Sequence, residues 1–373
     1  MNNTLQNLLR HATQLTQAGR LNEATAAIQR ALRGETADGA APDLATTWAS
    51  SSGPGGAGAR ASPLVLDGCI FEVGAQAPAG AWEFTSGTHT HGALTRGFKL
   101  YTPPGQGDRP MPLVVMLHGC TQNPDDFAAG TGMNQRAREQ GFCVLYPEQS
   151  QDANPSRCWN WFKHNHQQRG RGEPALLASM TQAVMKQHGI DPRRVFIAGL
   201  SAGGAMAAIV AAAYPEIFAA VGVHSGLPTG AASNVAEALM VMKSGELGIV
   251  MPGKGRHLGA AMKGSLRPQT AVPTIVFHGD KDTTVHPRNG EQVIAAVLGS
   301  TATGPRVEQG VSANGRRYTR STRHAEHGRA LTEHWLVHGA GHAWSGGSAE
   351  GSYTDGTGPD ATLEMLRFFF NQG

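Results

Sequence analysis

The stretch FIAGLSAGGAMA, residues 196–207, sets a lone serine between glycines, behind an apolar run and ahead of an alanine-rich one. Two readings compete for Ser201: a serine in an ordinary turn, or one pushed out of the backbone by a sharp strand-to-helix turn of the G-x-S-x-G type. With 49 glycines in 373 residues such a pentapeptide arises easily by chance, so context has to decide. Val195, Phe196, Ile197, Ala198 and Leu200 form a short continuous apolar run, as a parallel strand covered on both faces requires. Ala202 to Tyr214 then supplies small residues and good helix formers, stopped by Pro215. Gly199, Gly203 and Gly204 remove side chains where helix and strand must crowd together. The context favours strand, sharp turn and helix, with Ser201 at the apex.

Working outward, further apolar runs occur at 113–117 (LVVML), 143–147 (CVLYP), 219–223 (AAVGV), 274–279 (TIVFHG) and 334–339 (HWLVHG). Between them lie helical candidates at Pro174 to His188, Ala202 to Tyr214, Gly290 to Leu298 and Asp360 to Asn371. Strands alternating with helices predict an α/β domain: a mostly parallel sheet with helices on both faces. Segments near Lys99 to Thr102 and Tyr318 to Arg323 are candidates for antiparallel edges or a hairpin.

The ends of the chain read differently. Leu5, Leu8, Leu9, Ala12 and Leu15, then Ala24, Ala27, Ile28, Ala31 and Leu32, recur at helical spacing on either side of Gly19. Residues 1–33 are therefore expected to form a helical hairpin resembling a single tetratricopeptide repeat. One such unit cannot bury its apolar face alone, so it must dock on the main domain, on a second copy as a homodimer, or on a larger partner such as a granule surface. Residues 34–63, with SSSGPGGAGARASP, have the composition of a flexible linker, and the catalytic domain is expected over 64–373.

Composition excludes several classes. A net charge of +3 without a long basic run gives nucleic-acid binding little support. No apolar stretch reaches the roughly 18 residues of a membrane span, so no membrane partner is expected. The first residues lack the pattern of a secretory signal, which makes the cytoplasm the expected compartment as written and secretion the alternative. Cys69, Cys120, Cys143 and Cys158 are too few and scattered for a disulfide framework, and their spacing is not that of a zinc site. His89 and His91 could share one face of a strand, but no third ligand accompanies them, and neither metal nor organic cofactor is expected.

In an α/β sheet, chemistry collects on the loops after the strands. After TIVFHG come Asp280, Lys281 and Asp282, and after HWLVHG come Ala340, Gly341 and His342. The order Ser, Asp, His is the one expected of α/β-hydrolases. A serine hydroxyl needs an imidazole to take its proton, and that imidazole needs a carboxylate to hold its tautomer. His342, on a glycine-flexed loop, is preferred to His338, still within the strand, and to His118 and His278, in turns at strand ends. Asp282 is preferred to Asp280, although both lie on one short loop. The oxyanion of such a reaction needs donors, for which the backbone N–H groups of Ala202 and Cys120 are the candidates.

Five motifs in this order, LHGCTQNPDDF, SRCWNWF, GLSAGGAM, HGDKDTTV and GAGHAWSGG, resemble the poly(3-hydroxybutyrate) depolymerase-like esterases, α/β-hydrolases related to feruloyl and acetylxylan esterases. The resemblance covers roughly residues 97–370. It implies a Ser201–His342–Asp282 triad, an oxyanion donor at Cys120, and a polyester or small ester as substrate, with short hydroxyacid esters or oligomers first and feruloyl or acetylxylan esters as the alternative. A non-catalytic binding protein on the same scaffold is the rival from another class. The resemblance also suggests a disulfide between Cys120 and Cys158, which a reducing compartment would oppose. Trp159, Trp161 and Trp344 stand near the active loops, where their rings could line an acyl groove or pack in the core. Residues 238–265, with four methionines, read as an excursion over the site or a plain surface insertion.

Overall fold

A computed structural model describes residues 64–66, 69–71, 83–104, 109–246, 271–298, 304–325 and 328–373. The hairpin expected over 1–33, the linker over 34–63 and residues 247–265 of the excursion lie outside the described residues.

The apolar runs become the middle of one sheet. Strands β5 (Met111–Leu117), β6 (Cys143–Pro147), β7 (Ile190–Leu200), β8 (Ala220–His224), β9 (Thr274–Gly279) and β12 (Ala330–Val337) pair in parallel, in the order β6-β5-β7-β8-β9-β12. Antiparallel strands extend both sides. On one side run β4 (Leu94–Thr102), β3 (Glu83–His91), β2 (Cys69–Phe71) and β1 (Leu64–Leu66). On the other run β11 (Arg317–His324) and β10 (Arg306–Val311). The two segments expected as antiparallel edges are parts of β4 and β11.

The central strands read as unbroken apolar runs because helices cover both faces. Along β5, Leu113, Val115 and Leu117 join one core with helices α3 (Gly172–Gln187) and α4 (Ala202–Ala213). Val114 and Met116 point the other way, into a core with α1 (Pro124–Thr131), α2 (Met133–Gln140) and α7 (Ala361–Phe370). Period-2 alternation thus sends apolar side chains to both sides. Each fully buried large side chain contributes about 1.5–3 kcal/mol. Across β7, Phe196 stacks on Phe369 of α7 with ring centroids 5.1 Å apart.

Helices α5 (Val235–Ser244) and α6 (Arg288–Leu298) complete the first face through Ala238, Val241 and Val293. Helix α5 starts where the Asn234 side chain accepts from the Glu237 N–H, and stops at Gly245 in the left-handed conformation. It runs into the expected excursion, which is therefore helical and packed over residues 238–244.

Candidate active site

Strand β7 delivers Ser201 to the start of α4 with φ 57° and ψ −119°, a backbone conformation that L side chains rarely adopt. The turn is held by the Ser201 N–H donating to the His224 carbonyl at 2.8 Å and by the Ala205 N–H donating to the Ser201 carbonyl at 2.9 Å. It closes only because of glycine. A Cβ on Gly199 would stand 2.4 Å from the Gly203 carbonyl carbon, and one on Gly203 would stand 2.0 Å from the Leu117 carbonyl oxygen.

The loop after β9 carries Asp282, whose side chain is buried. Its Oδ1 accepts from the N–H groups of Thr284 (2.9 Å) and Val285 (2.8 Å), and its Oδ2 lies 2.7 Å from His342 Nδ1. His278 Nε2 approaches the same Oδ2 at 3.5 Å. Burial pushes this carboxyl up, but hydrogen bonds from His278 and His342 outweigh it and hold the group well below the usual carboxylate range. Asp282 is therefore an anion. It accepts the Nδ1–H of His342, which fixes the orientation of that ring.

Asp280, the alternative on the same loop, has a different partner. Its Oδ2 lies 3.0 Å from His338 Nδ1, and its Oδ1 accepts from the Gly339 N–H at 2.7 Å. It ties the end of β12, which leads to His342, to the end of β9, which leads to Asp282. Lys281 N–H donates to the Ala340 carbonyl across the same junction at 3.0 Å.

Cys120 and Cys158 form a disulfide that joins the loop after β5 to the Cys-Trp-Asn-Trp loop. The first loop is further fixed by Gly119 N–H donating to Gln122 Oε1 (2.9 Å) and Thr121 N–H donating to the Ser156 carbonyl (2.7 Å). Beneath it, His118 Nδ1 contacts the Gly119 carbonyl at 2.8 Å while Nε2 accepts from the Gln149 N–H at 3.1 Å. Burial pushes His118 down to about 4, so it is a neutral strut. The second loop rests on Glu173, fully buried, whose carboxylate accepts from the Asn160 N–H (2.7 Å), the Asn160 amide (2.7 Å) and the Gln149 amide (2.6 Å).

Ser201, His342, Cys120 and Ala202 line one cavity of about 220 Å³. Its enclosed wall is apolar, built by Leu227, by Val235, Ala238 and Met242 of α5, and by Trp161 with Phe162. Its open end carries Thr121 and Tyr353, both exposed. Lys243 Nζ donates to the Thr283 carbonyl at 2.7 Å, so α5 is tied to the loop that bears Asp282.

Of the three tryptophans expected around the site, one lines the cavity. Trp161 does so and meets Phe162 edge to face, at 5.6 Å between centroids. Trp159 does not: it is fully buried against His118, 5.7 Å between centroids, because the loop turns it inward. Trp344 does not either. It is stacked on the buried His224 at 5.0 Å, its Nε1–H donates to Thr362 Oγ1 at 3.0 Å, and its N–H donates to the Tyr353 carbonyl at 2.7 Å. Both are supports under the site. His89 is buried and meets Ser179 Oγ at 2.9 Å, while His91 is exposed.

Three residues around the site went unread in the sequence. Thr121 and Tyr353 have positive φ (68° and 53°), and neither residue type signals that conformation. His224, pushed down to about 3 first by burial and then by His278 and His342, accepts from the Ser345 N–H at 2.9 Å and anchors the loop that follows His342.

The sheet order, the turn at Ser201 and the Asp282–His342 contact define an α/β-hydrolase. Residues 96–325 match the family described as esterase PHB depolymerase, and the chain belongs to that family. It is 33% identical over 183 residues to poly(3-hydroxyalkanoate) depolymerase C of Paucimonas lemoignei, across 49% of this chain and 43% of that protein. It is 30% identical over 205 residues to acetylxylan esterase A of Emericella nidulans, across 52% and 63%. The chain thus covers less than two thirds of either relative. Among solved structures it is similar to the acetyl xylan esterase from Aspergillus awamori, with a TM-score of 0.55, 23% identity, and coverage of 74% of this chain and 94% of that one.

Proposed function

We propose that this chain hydrolyses carboxylic esters through an acyl-enzyme on Ser201. His342 Nε2 takes the hydroxyl proton as Ser201 Oγ attacks the ester carbonyl, and the anionic Asp282 stabilises the imidazolium that forms. The N–H groups of Cys120 and Ala202 hold the tetrahedral oxyanion. The imidazolium then protonates the departing alkoxide; water attacks the acyl-serine with His342 again as base, releasing the carboxylic acid and regenerating Ser201. The observation that carries this reading is the His342–Asp282 contact at the wall of the apolar cavity that also receives Ser201. A cavity of about 220 Å³ suits a short acyl group, and esters or oligomers of short hydroxyacids are the first substrates to offer it.

The test is turnover of p-nitrophenyl acetate. Ser201→Ala is expected to lower kcat by a factor on the order of 10³–10⁶ and to abolish labelling by a fluorophosphonate probe. A variant that keeps most of the activity removes Ser201 from the mechanism.

A further inference from the structure

The two ends of the cavity differ in chemistry. Leu227, Ala238 and Trp161, at most 4% exposed, line its buried part, while Tyr353, 47% exposed, lines the part that faces solvent. In an acyl-enzyme cycle the alcohol leaves first and water enters in its place while the acyl group stays bound. The alcohol therefore belongs at the open end and the acyl chain against α5.

At the open end the hydrogen-bond directions are determined. Thr121 Oγ1 donates its single hydrogen to the Cys120 carbonyl at 2.6 Å. In its 3.2 Å contact with Tyr353, Thr121 can then only accept, so the phenolic O–H points at Thr121. The Tyr353 oxygen is left with acceptor capacity at the mouth. Both backbones are pinned in left-handed conformations, Thr121 by its N–H to Ser156 and Tyr353 by its carbonyl to Trp344, so the pair is preorganised.

Resting on the ester-hydrolase reading above, we propose that Thr121 and Tyr353 form the subsite for the leaving alcohol, and that this alcohol carries a second hydroxyl beside the ester oxygen. A simple alkyl alcohol brings no donor to Tyr353. The next unit of a linear polyester brings only acceptor oxygens, so an oligomer is turned over without this contact. A polyol or a glycoside brings an O–H that completes the chain to Thr121 and Cys120.

The 1-monoacetate of propane-1,2-diol and propyl acetate share one acyl group and differ in that hydroxyl alone. The wild-type chain is expected to favour the diol ester by up to about tenfold in kcat/KM, carried by KM, as one added hydrogen bond at an open site allows. Tyr353→Phe, which removes only the hydroxyl, is expected to bring the two esters to parity. Parity already in the wild type, or an unchanged preference in Tyr353→Phe, overturns the subsite. Fluorophosphonate labelling run alongside separates the failures: labelled protein with parity removes the subsite alone. Unlabelled protein that turns over neither ester removes the ester-hydrolase reading, and the subsite with it.

Discussion

At Ser201 the turn that presents the proposed nucleophile depends on side chains that are missing around it. The carbonyl of Leu117 at the end of β5 occupies the place a Cβ on Gly203 would need, 2.0 Å away, and backbone cannot swing aside as a flexible side chain can. Gly203→Ala is accordingly expected to cost about 3 kcal/mol or more in urea unfolding, with esterase activity falling in the folded fraction as well. An unchanged midpoint would show that strand and helix separate freely there. The glycines and the serine were legible because crowding and sharp turns restrict residue type. The direction of a large side chain was not: Trp159, Trp161 and Trp344 look equivalent in sequence, yet one lines the cavity and two prop it from behind. Asp280 and Asp282 were likewise separable only by their partners, His338 and His342.

Among elements, the loop that supplies the Cys120 N–H gains its rigidity from outside itself. The disulfide to Cys158 closes a loop with a sequence separation of 38, and a crosslink of that span contributes about 3–4 kcal/mol in the chain-entropy account. Reduction, or Cys158→Ser, is expected to lower stability by that order and to lower kcat more than it raises KM, because the proposed oxyanion donor loosens while the α5 wall stays. Thermal melts and p-nitrophenyl acetate kinetics with and without a phosphine reductant check both, and an unchanged kcat would show that Gln122 and Ser156 suffice to hold the loop. The six parallel strands were readable because burial on both faces demands unbroken apolar runs. Helices α1, α2 and α5 were not: two are only 8 residues long, and MNQRAREQ of α2 is nearly all polar because it buries little more than Met133 and Ala137.

The molecule as a whole encloses imidazoles that it keeps uncharged. Burial pushes His118 down to about 4, His224 to about 3 and His334 to about 4, against 6.5 for an exposed ring. A lowered folded-state value means that unfolding takes up protons between about pH 3 and 6.5, so stability is complete above that window and falls as pH drops through it. Three such groups give a slope of up to about 4 kcal/mol per pH unit near pH 5. Urea unfolding at pH 7, 6 and 5 checks this; a flat profile would mean that these rings find partners when protonated. At this scale the sequence disclosed the order of Ser201, Asp282 and His342, and the sheet explains it: β7, β8, β9 and β12 lie side by side, so the strands that end at these residues open on the same edge. That arrangement has a consequence during synthesis on the ribosome. On the proposed mechanism, a growing polypeptide carries its nucleophile long before its base, and it stays inert toward esters until β12 has emerged and docked beside β9.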